Sequence, residues 1–255
     1  MGSVTWGADV PGGIPFSGNV TLSGCRLIGA GGADDDLALD WLTNPGTDCA
    51  ALWRFNETAY TGAAGEVLDA IGAAHGQAMN GAQTAALGMS RCLDTVSADS
   101  EYIRWPYGSV FQKSGAGGIA AWIYYDGVTH SRVQIVRTNS SSGWGVALIV
   151  NADGYPSILL VRSGALKKLP GTDQLAVGWN YVAAHWTTSA QYLHLYTSGG
   201  DYHYSLASSG SIRYGNAYTT VGTNVGMTEY YDARVDELAL WNSTLTEETF
   251  DPLAY

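Results

Sequence analysis

Charged residues are scarce in this chain, and positively charged residues are the scarcest. Only 14% of the 255 residues are charged, against roughly 25% in an average globular domain. Lysine and arginine together number 12, against 23 aspartates and glutamates, which gives a formal net charge of −11. Binding to nucleic acid or to an anionic membrane surface depends on clustered lysine and arginine. The composition therefore argues against nucleic acid and a membrane surface as partners.

Cysteine and long apolar runs are also scarce. The three cysteines, Cys25, Cys49 and Cys92, form neither a disulfide framework nor a zinc-binding pattern, although a Cys25–Cys49 disulfide stays open. No apolar run approaches the roughly 18 residues that a membrane helix needs, so membrane insertion is not expected. The first residues lack the basic and apolar regions of a secretory signal. We therefore expect either synthesis in the cytosol or a signal that has been removed.

Glycine and aromatic residues are abundant instead, with 33 glycines, 16 tyrosines and 9 tryptophans. Short apolar and aromatic segments separated by glycine-rich or serine-rich turns predict β-strands. Regular short strands without intervening helices are typical of an antiparallel β-sandwich or jelly roll. A capping box that begins at Thr244 predicts one short C-terminal helix. The predicted strands are 51–56, 101–105, 119–125, 132–138, 144–150, 157–162, 180–187, 191–197, 202–206, 218–222 and 234–241.

The first fifty residues differ in composition from the rest. Residues 1–50 contain six aspartates, a single arginine and repeated glycine and proline. This predicts an extended N-terminal arm at 1–50, an anchoring segment ahead of one jelly-roll domain at 51–255. Such an arm buries too little apolar surface alone to offset its ordering entropy. We therefore expect it to dock on another subunit or on a partner protein.

Five segments, taken in order, resemble laminin-G-like, concanavalin A-like jelly-roll modules. They are 51–57 (ALWRFNE), 69–82 (with DAIGAAHG and NGA), 118–124 (GIAAWIY), 177–196 (with VGWNYVAA and LHLY) and 235–248 (with VDELALWN and LTEE). The resemblance implies the jelly-roll fold over about residues 51–250. It does not fix the function, because lectins, carbohydrate-binding modules, adhesins and enzymes all use this architecture.

Catalytic carboxylate pairs are not recognisable in the sequence. Glycosidases of this architecture place carboxylates at alternate positions of one strand, close enough for acid and nucleophile roles. None of the seven glutamates begins such a motif, and Asp232 and Asp236 would lie about 13 Å apart along an extended strand. The Q-I-H strand of jelly-roll alginate lyases is matched only by Gln134-Ile135-Val136. We therefore predict a non-catalytic protein.

The hairpin at 180–197 alternates between two faces. One face is apolar and predicted to face the core, with Val182, Ala184, Trp186, Leu193 and Leu195. The other is a candidate ligand-binding face, with Tyr181, His185, Tyr192, His194 and Tyr196. Aromatic rings with polar tips suit sugar rings, and they suit a protein–protein interface equally well. The third interpretation is that the arm or a loop packs on these rings as a second small core.

Asp236 is predicted to point inward, by alternation with the leucines that follow it in the strand. A buried carboxylate needs a cation or several hydrogen-bond donors to offset its desolvation. The resemblance implies that Asp236 helps to hold a structural calcium together with Glu57 and Asp69. Calcium prefers hard oxygen ligands, which these residues supply. The alternative is a salt bridge from Asp236 to Arg54 or Arg234.

A binding module without a recognisable export signal is typical of bacteriophage virion surface proteins, which are made in the host cytosol. We therefore predict a capsid-decoration or tail/fibre protein that displays a glycan-binding or protein-binding jelly roll. Its expected partners are a capsid or tail protein and copies of itself as a homo-oligomer, with a cell-surface glycan as a candidate ligand. The alternative is a secreted carbohydrate-binding or adhesin module. The second alternative is a polysaccharide-active hydrolase or lyase.

Overall fold

A computed structural model of the chain describes residues 48–87, 90–106, 115–127, 133–140, 143–151, 153–197, 200–212, 218–223 and 229–244. Nearly all of the predicted arm and the predicted C-terminal helix lie outside these residues. Within them, no helix has the length and apolar character that crossing a membrane would require.

Fifteen strands and one short 3₁₀ helix, Ser97–Asp99, make up the described secondary structure. The strands are β1 Cys49–Trp53, β2 Gln77–Met79, β3 Gln83–Leu87, β4 Ser90–Thr95, β5 Tyr102–Trp105, β6 Gly117–Tyr125, β7 Val133–Ser140, β8 Gly143–Val150, β9 Pro156–Arg162, β10 Ala165–Pro170, β11 Gly178–Trp186, β12 Ala190–Thr197, β13 Gly200–Ala207, β14 Thr219–Val221 and β15 Ala233–Trp241.

The strands form two antiparallel sheets. The eight-stranded sheet has the order β13-β12-β11-β6-β15-β4-β3, and β1 pairs with the second half of β15 beside β4. The seven-stranded sheet has the order β10-β9-β8-β7-β14-β5-β2. Side chains from both sheets share one large apolar cluster, the main core. The predicted antiparallel jelly-roll sandwich is therefore confirmed.

The main core is close-packed around tryptophan rings. Trp53 and Trp105 are almost fully buried, and their ring centroids lie 4.7 Å apart. A Cβ atom on Gly76 would lie 2.6 Å from Nε1 of Trp105, and one on Gly117 would lie 2.5 Å from Cζ2 of Trp186. The backbone at these glycines therefore approaches the indole rings more closely than any other residue would permit.

Every strand predicted from the sequence overlaps a strand of the structure, whereas β2, β3, β4 and β10 were not predicted. The strand β10, with the sequence ALKKLP, is mostly exposed at an edge of its sheet. Edge strands commonly carry lysine and proline because these residues discourage pairing with another chain. This charged, proline-containing sequence therefore lacks the apolar alternation that predicts a strand.

Candidate functional site

The outer face of the eight-stranded sheet is the side that turns away from the main core. In the hairpin β11–β12 all five side chains that were predicted to face the core belong to the main core. Tyr181, His185, Tyr192 and His194 consequently lie on the outer face. The backbone of Tyr196 pairs with Tyr181 on the same hairpin, but its side chain lies outside the described part of the chain.

Three histidines and a tyrosine on adjacent strands form a stack on this face, here called the histidine cluster. The ring of His185 stacks on Tyr192 with centroids 4.3 Å apart, and it lies 5.3 Å from the ring of His194. His194 is directly opposite His203 in β13, and their Nδ1 atoms are 2.6 Å apart. His203 was not among the predicted residues. Its alternating position in a correctly predicted strand is the signal that would have indicated it.

The two inner histidines are buried and uncharged at neutral pH. His185 and His194 are each only 8% exposed. Burial lowers the pKa of His185 to about 4. Burial, together with the neighbouring His185 and His203, lowers the pKa of His194 to about 3. At neutral pH His185 and His194 therefore present uncharged aromatic rings on this face.

Tyr181 lies in a second, smaller apolar cluster on the outer face. It is 1% exposed, and its ring lies 5.4 Å from that of Trp122. The buried members of this second cluster are Leu52, Ala120, Tyr181, Ala183, Ala239 and Trp241. The environment of Tyr181 therefore corresponds to the packing interpretation and not to an open ligand surface.

A second set of outer-face side chains, not predicted from the sequence, crosses four adjacent strands. Trp179, Tyr124, Arg234 and Asp94 are directly opposite one another in β11, β6, β15 and β4, and we call them the cross-strand row. The rings of Trp179 and Tyr124 meet edge to face at 5.6 Å. The guanidinium carbon of Arg234 lies 5.5 Å from the Tyr124 ring centroid, and Nε donates to Oδ1 of Asp94 at 3.3 Å.

A β-bulge after Asp236 places this side chain on the outer face of the sheet, opposite to the predicted orientation. The register between β15 and β6 shifts between Asp236 and the following residues, and Glu237 has a positive φ of 48°. Asp236 is paired with Trp122, whose side chain packs on the outer face. Leu238 and Leu240 belong to the main core. The inward orientation predicted for Asp236 was wrong, because one extra residue interrupts the alternation.

Ion pairs between arginine and carboxylate side chains lie close to the bulge. Arg54 pairs with Glu237 at 3.5 Å, and Arg234 pairs with Asp94 at 3.3 Å. Oδ1 of Asp236 accepts a hydrogen bond from the backbone N–H of Glu237 at 2.8 Å. A buried carboxylate at position 237 is therefore held by Arg54, at a site that the sequence pattern did not indicate.

The other two predicted calcium ligands accept hydrogen bonds from the protein itself. Glu57 accepts the N–H of Leu68 and the O–H of Tyr60, each at 2.8 Å. Asp69 accepts the backbone N–H groups of Leu52, Ile71 and Ala74 at 3.0, 3.2 and 3.1 Å. Across the described ranges, no group of three histidine, cysteine or carboxylate side chains is placed to hold a metal ion. The calcium site of Asp236, Glu57 and Asp69 stays a prediction.

Two cysteines are free thiols, Cys49 at the start of β1 and Cys92 in β4. Burial raises the pKa of each thiol to about 12. Both thiols are therefore protonated and unreactive at neutral pH. Cys25, the other half of the disulfide considered from the sequence, lies outside the described residues.

Several solved structures share this fold. Domain 4 of AbnA, a GH43 extracellular arabinanase from Geobacillus stearothermophilus solved with arabinotriose, has a TM-score of 0.61 and 14% identity, covering 82% of this chain and 98% of its own. The binding domain of botulinum neurotoxin DC with rat synaptotagmin II has a TM-score of 0.60 and 10% identity, covering 82% and 52%. The same toxin's binding domain with SialylT has a TM-score of 0.55 and 11% identity, covering 79% and 53%. This chain therefore spans about half the length of the toxin domains, and these identities show a shared fold alone.

No curated protein sequence matches this chain. Residues 97–249 match a family model described as the concanavalin A-like lectin/glucanases superfamily. The match begins at the 3₁₀ helix and extends through β15, so it includes most strands of both sheets. Since the family model, the two-sheet topology and the five sequence motifs agree, the chain belongs to the concanavalin A-like lectin/glucanase superfamily.

Proposed function

We propose that this chain is a non-catalytic module that binds carbohydrate on the outer face of its eight-stranded sheet. The observation that carries the proposal is a band of partly exposed rings on two central strands, formed by Trp122, Tyr124 and Trp179. Flat aromatic rings pack against the C–H faces of sugars, and their polar tips bond to hydroxyl groups. Arabinotriose bound to the arabinanase domain supports this ligand class on the same fold.

A protein ligand is the second candidate, because rat synaptotagmin II is bound by a toxin domain of the same fold. Tyrosine, tryptophan and arginine are also enriched in protein interfaces. Carbohydrate is favoured because Trp179 and Tyr124 are followed in the cross-strand row by the charged pair Arg234 and Asp94, so the partly exposed rings do not form a purely apolar patch. A contiguous apolar patch is the usual sign of a protein-binding surface.

The described glutamates support a non-catalytic role, since each is engaged in holding the chain together. Glu66 accepts the backbone N–H groups of Thr61 and Gly62, and Glu101 accepts that of Val96. Glu229 accepts the O–H of Tyr231, and Glu57 and Glu237 make the contacts given above. Carboxylates that serve as acid and nucleophile must instead point together at the substrate.

The setting we propose is the surface of a virion, with several copies held on a capsid or tail protein by the N-terminal segment. Several linked copies would give weakly binding modules avidity for a glycan-coated surface. Removal of residues 2–48 is then expected to leave the sandwich folded and to abolish assembly and attachment, as size-exclusion chromatography and particle co-sedimentation would show. Mass spectrometry of purified virions tests the setting directly. Recovery of the chain only from particle-free medium would support the secreted alternative.

Binding and turnover of the full chain test the proposed function together. A glycan array identifies ligands, and incubation with laminarin, alginate, chitosan and xylan detects cleavage products. We expect binding of at least one glycan without turnover. Turnover that a single carboxylate substitution abolishes would overturn the non-catalytic assignment. Binding of a protein receptor without binding of any glycan would overturn the carbohydrate proposal and support a protein ligand.

A further inference from the structure

We infer that the ligand is a neutral oligosaccharide that lies across the strands, along the cross-strand row. This inference rests on the proposed function and names its ligand class and subsite. The four side chains of the row come from adjacent strands in direct register. Three strand spacings of about 4.8 Å give the row a length of about 14 Å. A surface of that length matches an extended ligand better than a single sugar ring.

The two rings of the row have different roles. The face of Tyr124 is covered by the Arg234 guanidinium, and Tyr124 also contacts Trp179 edge to face. Tyr124 is therefore a positioning residue that orients its two neighbours. Trp179 stands at the end of the row and is partly exposed. Its indole is the platform on which a sugar ring stacks.

Arg234 and Asp94 supply the polar half of the subsite. The Arg234 side chain is 51% exposed and that of Asp94 is 29% exposed. Among the described residues, only Nε of Arg234 and Oδ1 of Asp94 take part in protein hydrogen bonds at this pair. The Nη groups of Arg234 can donate to a ligand, and Oδ2 of Asp94 beside them can accept from it. Neighbouring hydroxyls of a sugar, each both donor and acceptor, match that arrangement.

The charges of the subsite favour a neutral ligand. The positive charge of Arg234 is balanced by Asp94 at 3.3 Å, so the row has no net charge of its own. The whole chain has a formal charge of −11, which repels an anionic glycan at long range. A carboxylated or sulfated sugar would gain little from Arg234, because Asp94 already balances the charge of its guanidinium group.

Isothermal titration calorimetry of the full chain tests the inference with named probes. The neutral probes are arabinotriose, xylotriose, laminaritriose and maltotriose, and the anionic probe is trigalacturonate. Trp179→Ala is expected to weaken binding of the best neutral probe about tenfold or more. Trp179→Phe, which keeps a ring and protects the fold, should retain most of the affinity. Arg234→Lys keeps the charge but loses the planar fork, so we expect about fivefold weaker binding.

The seven-stranded sheet offers a matched control. There the guanidinium carbon of Arg104 lies 4.9 Å from the Tyr218 ring centroid, in a contact of the same kind. Arg104→Lys and Tyr218→Ala should leave the affinity unchanged within twofold. Melting temperatures of all variants separate lost binding from lost folding.

The outcomes distinguish the inference from the proposed function. If Tyr192→Ala abolishes binding of a neutral probe and Trp179→Ala does not, the ligand lies at the histidine cluster, and only the row is wrong. If trigalacturonate binds more tightly than every neutral probe, the ligand class is wrong. If the chain binds no carbohydrate at all, the proposed function and the inference both fail.

Discussion

Acid is expected to destabilise this protein through its buried histidines. In the folded chain burial lowers the pKa of His185 to about 4, from an ordinary value of 6.5. Between these two values the unfolded chain binds a proton that the folded chain does not. Stability is therefore complete above about pH 6.5, and it falls as the pH drops from 6.5 towards 4.

The size of the effect follows from the shift. At pH 5 the unfolded histidine is protonated and the folded one is still neutral. This pH lies about 1.5 units below the ordinary histidine pKa of 6.5. At 1.36 kcal/mol per unit, His185 alone lowers the free energy of unfolding by about 2 kcal/mol relative to pH 8. His194, with a pKa of about 3, acts in the same direction. A loss of this size is a large fraction of the 5–15 kcal/mol that is typical of folded domains.

Urea denaturation followed by fluorescence at pH 8, 7, 6 and 5 measures the effect. His185→Gln removes one titrating group. The loss of unfolding free energy between pH 8 and pH 5 should therefore be about 2 kcal/mol smaller in this variant than in the wild type, whatever the variant's stability at pH 8. Tyr192→Phe keeps the stacked ring and should leave the slope unchanged. A wild-type stability that is constant from pH 8 to pH 5 would refute the reasoning. So would a slope that His185→Gln leaves intact.

The remaining predictions concern stability and calcium. Gly117→Ala is expected to cost about 1–3 kcal/mol in urea denaturation, because its Cβ would overlap the Trp186 ring. Gly115→Ala, where no atom lies within 4 Å of the new Cβ, should stay close to wild type. Asp69→Asn should lower stability by about 1–3 kcal/mol in calorimetry, because its amide group would face the N–H of Ala74 or that of another donor. If the predicted calcium site forms, calcium should raise the Tm relative to EDTA by mass action, and equal Tm values would contradict it.

The fold was predictable because it depends on local patterns. Alternation and turn residues located eleven strands, and the hairpin β11–β12 was divided correctly into its two faces. Three of the four missed strands, β2, β3 and β4, lie at residues 77–95, where small and polar residues give little periodicity. Such segments become strands because neighbouring strands supply their hydrogen-bond partners, and no residue within them signals this.

The candidate site was less predictable, because it depends on register between distant segments. Asp94 and Arg234 are 140 positions apart, and only the pairing of β15 with β4 makes them neighbours. The orientation of Asp236 was missed for a similar reason, since nothing in the sequence marks Glu237 as the residue with positive φ. The burial of His185 also depends on tertiary packing and not on alternation.

The bulge at Glu237 has a consequence for how this sequence should be aligned with its relatives. Asp236 and Leu238 lie on opposite faces of the sheet although Glu237 stands between them, so removing Glu237 would give a regular strand whose other side chains keep their faces. A relative with a regular strand here would therefore align with a one-residue gap opposite Glu237. The alternation of core and outer-face residues would match on both sides of that gap. The insertion persists at the cost of a left-handed backbone, and its carboxylate gives Arg54 a partner. Position 237 is thus an added residue whose carboxylate pairs with Arg54, within a strand whose alternation does not need it.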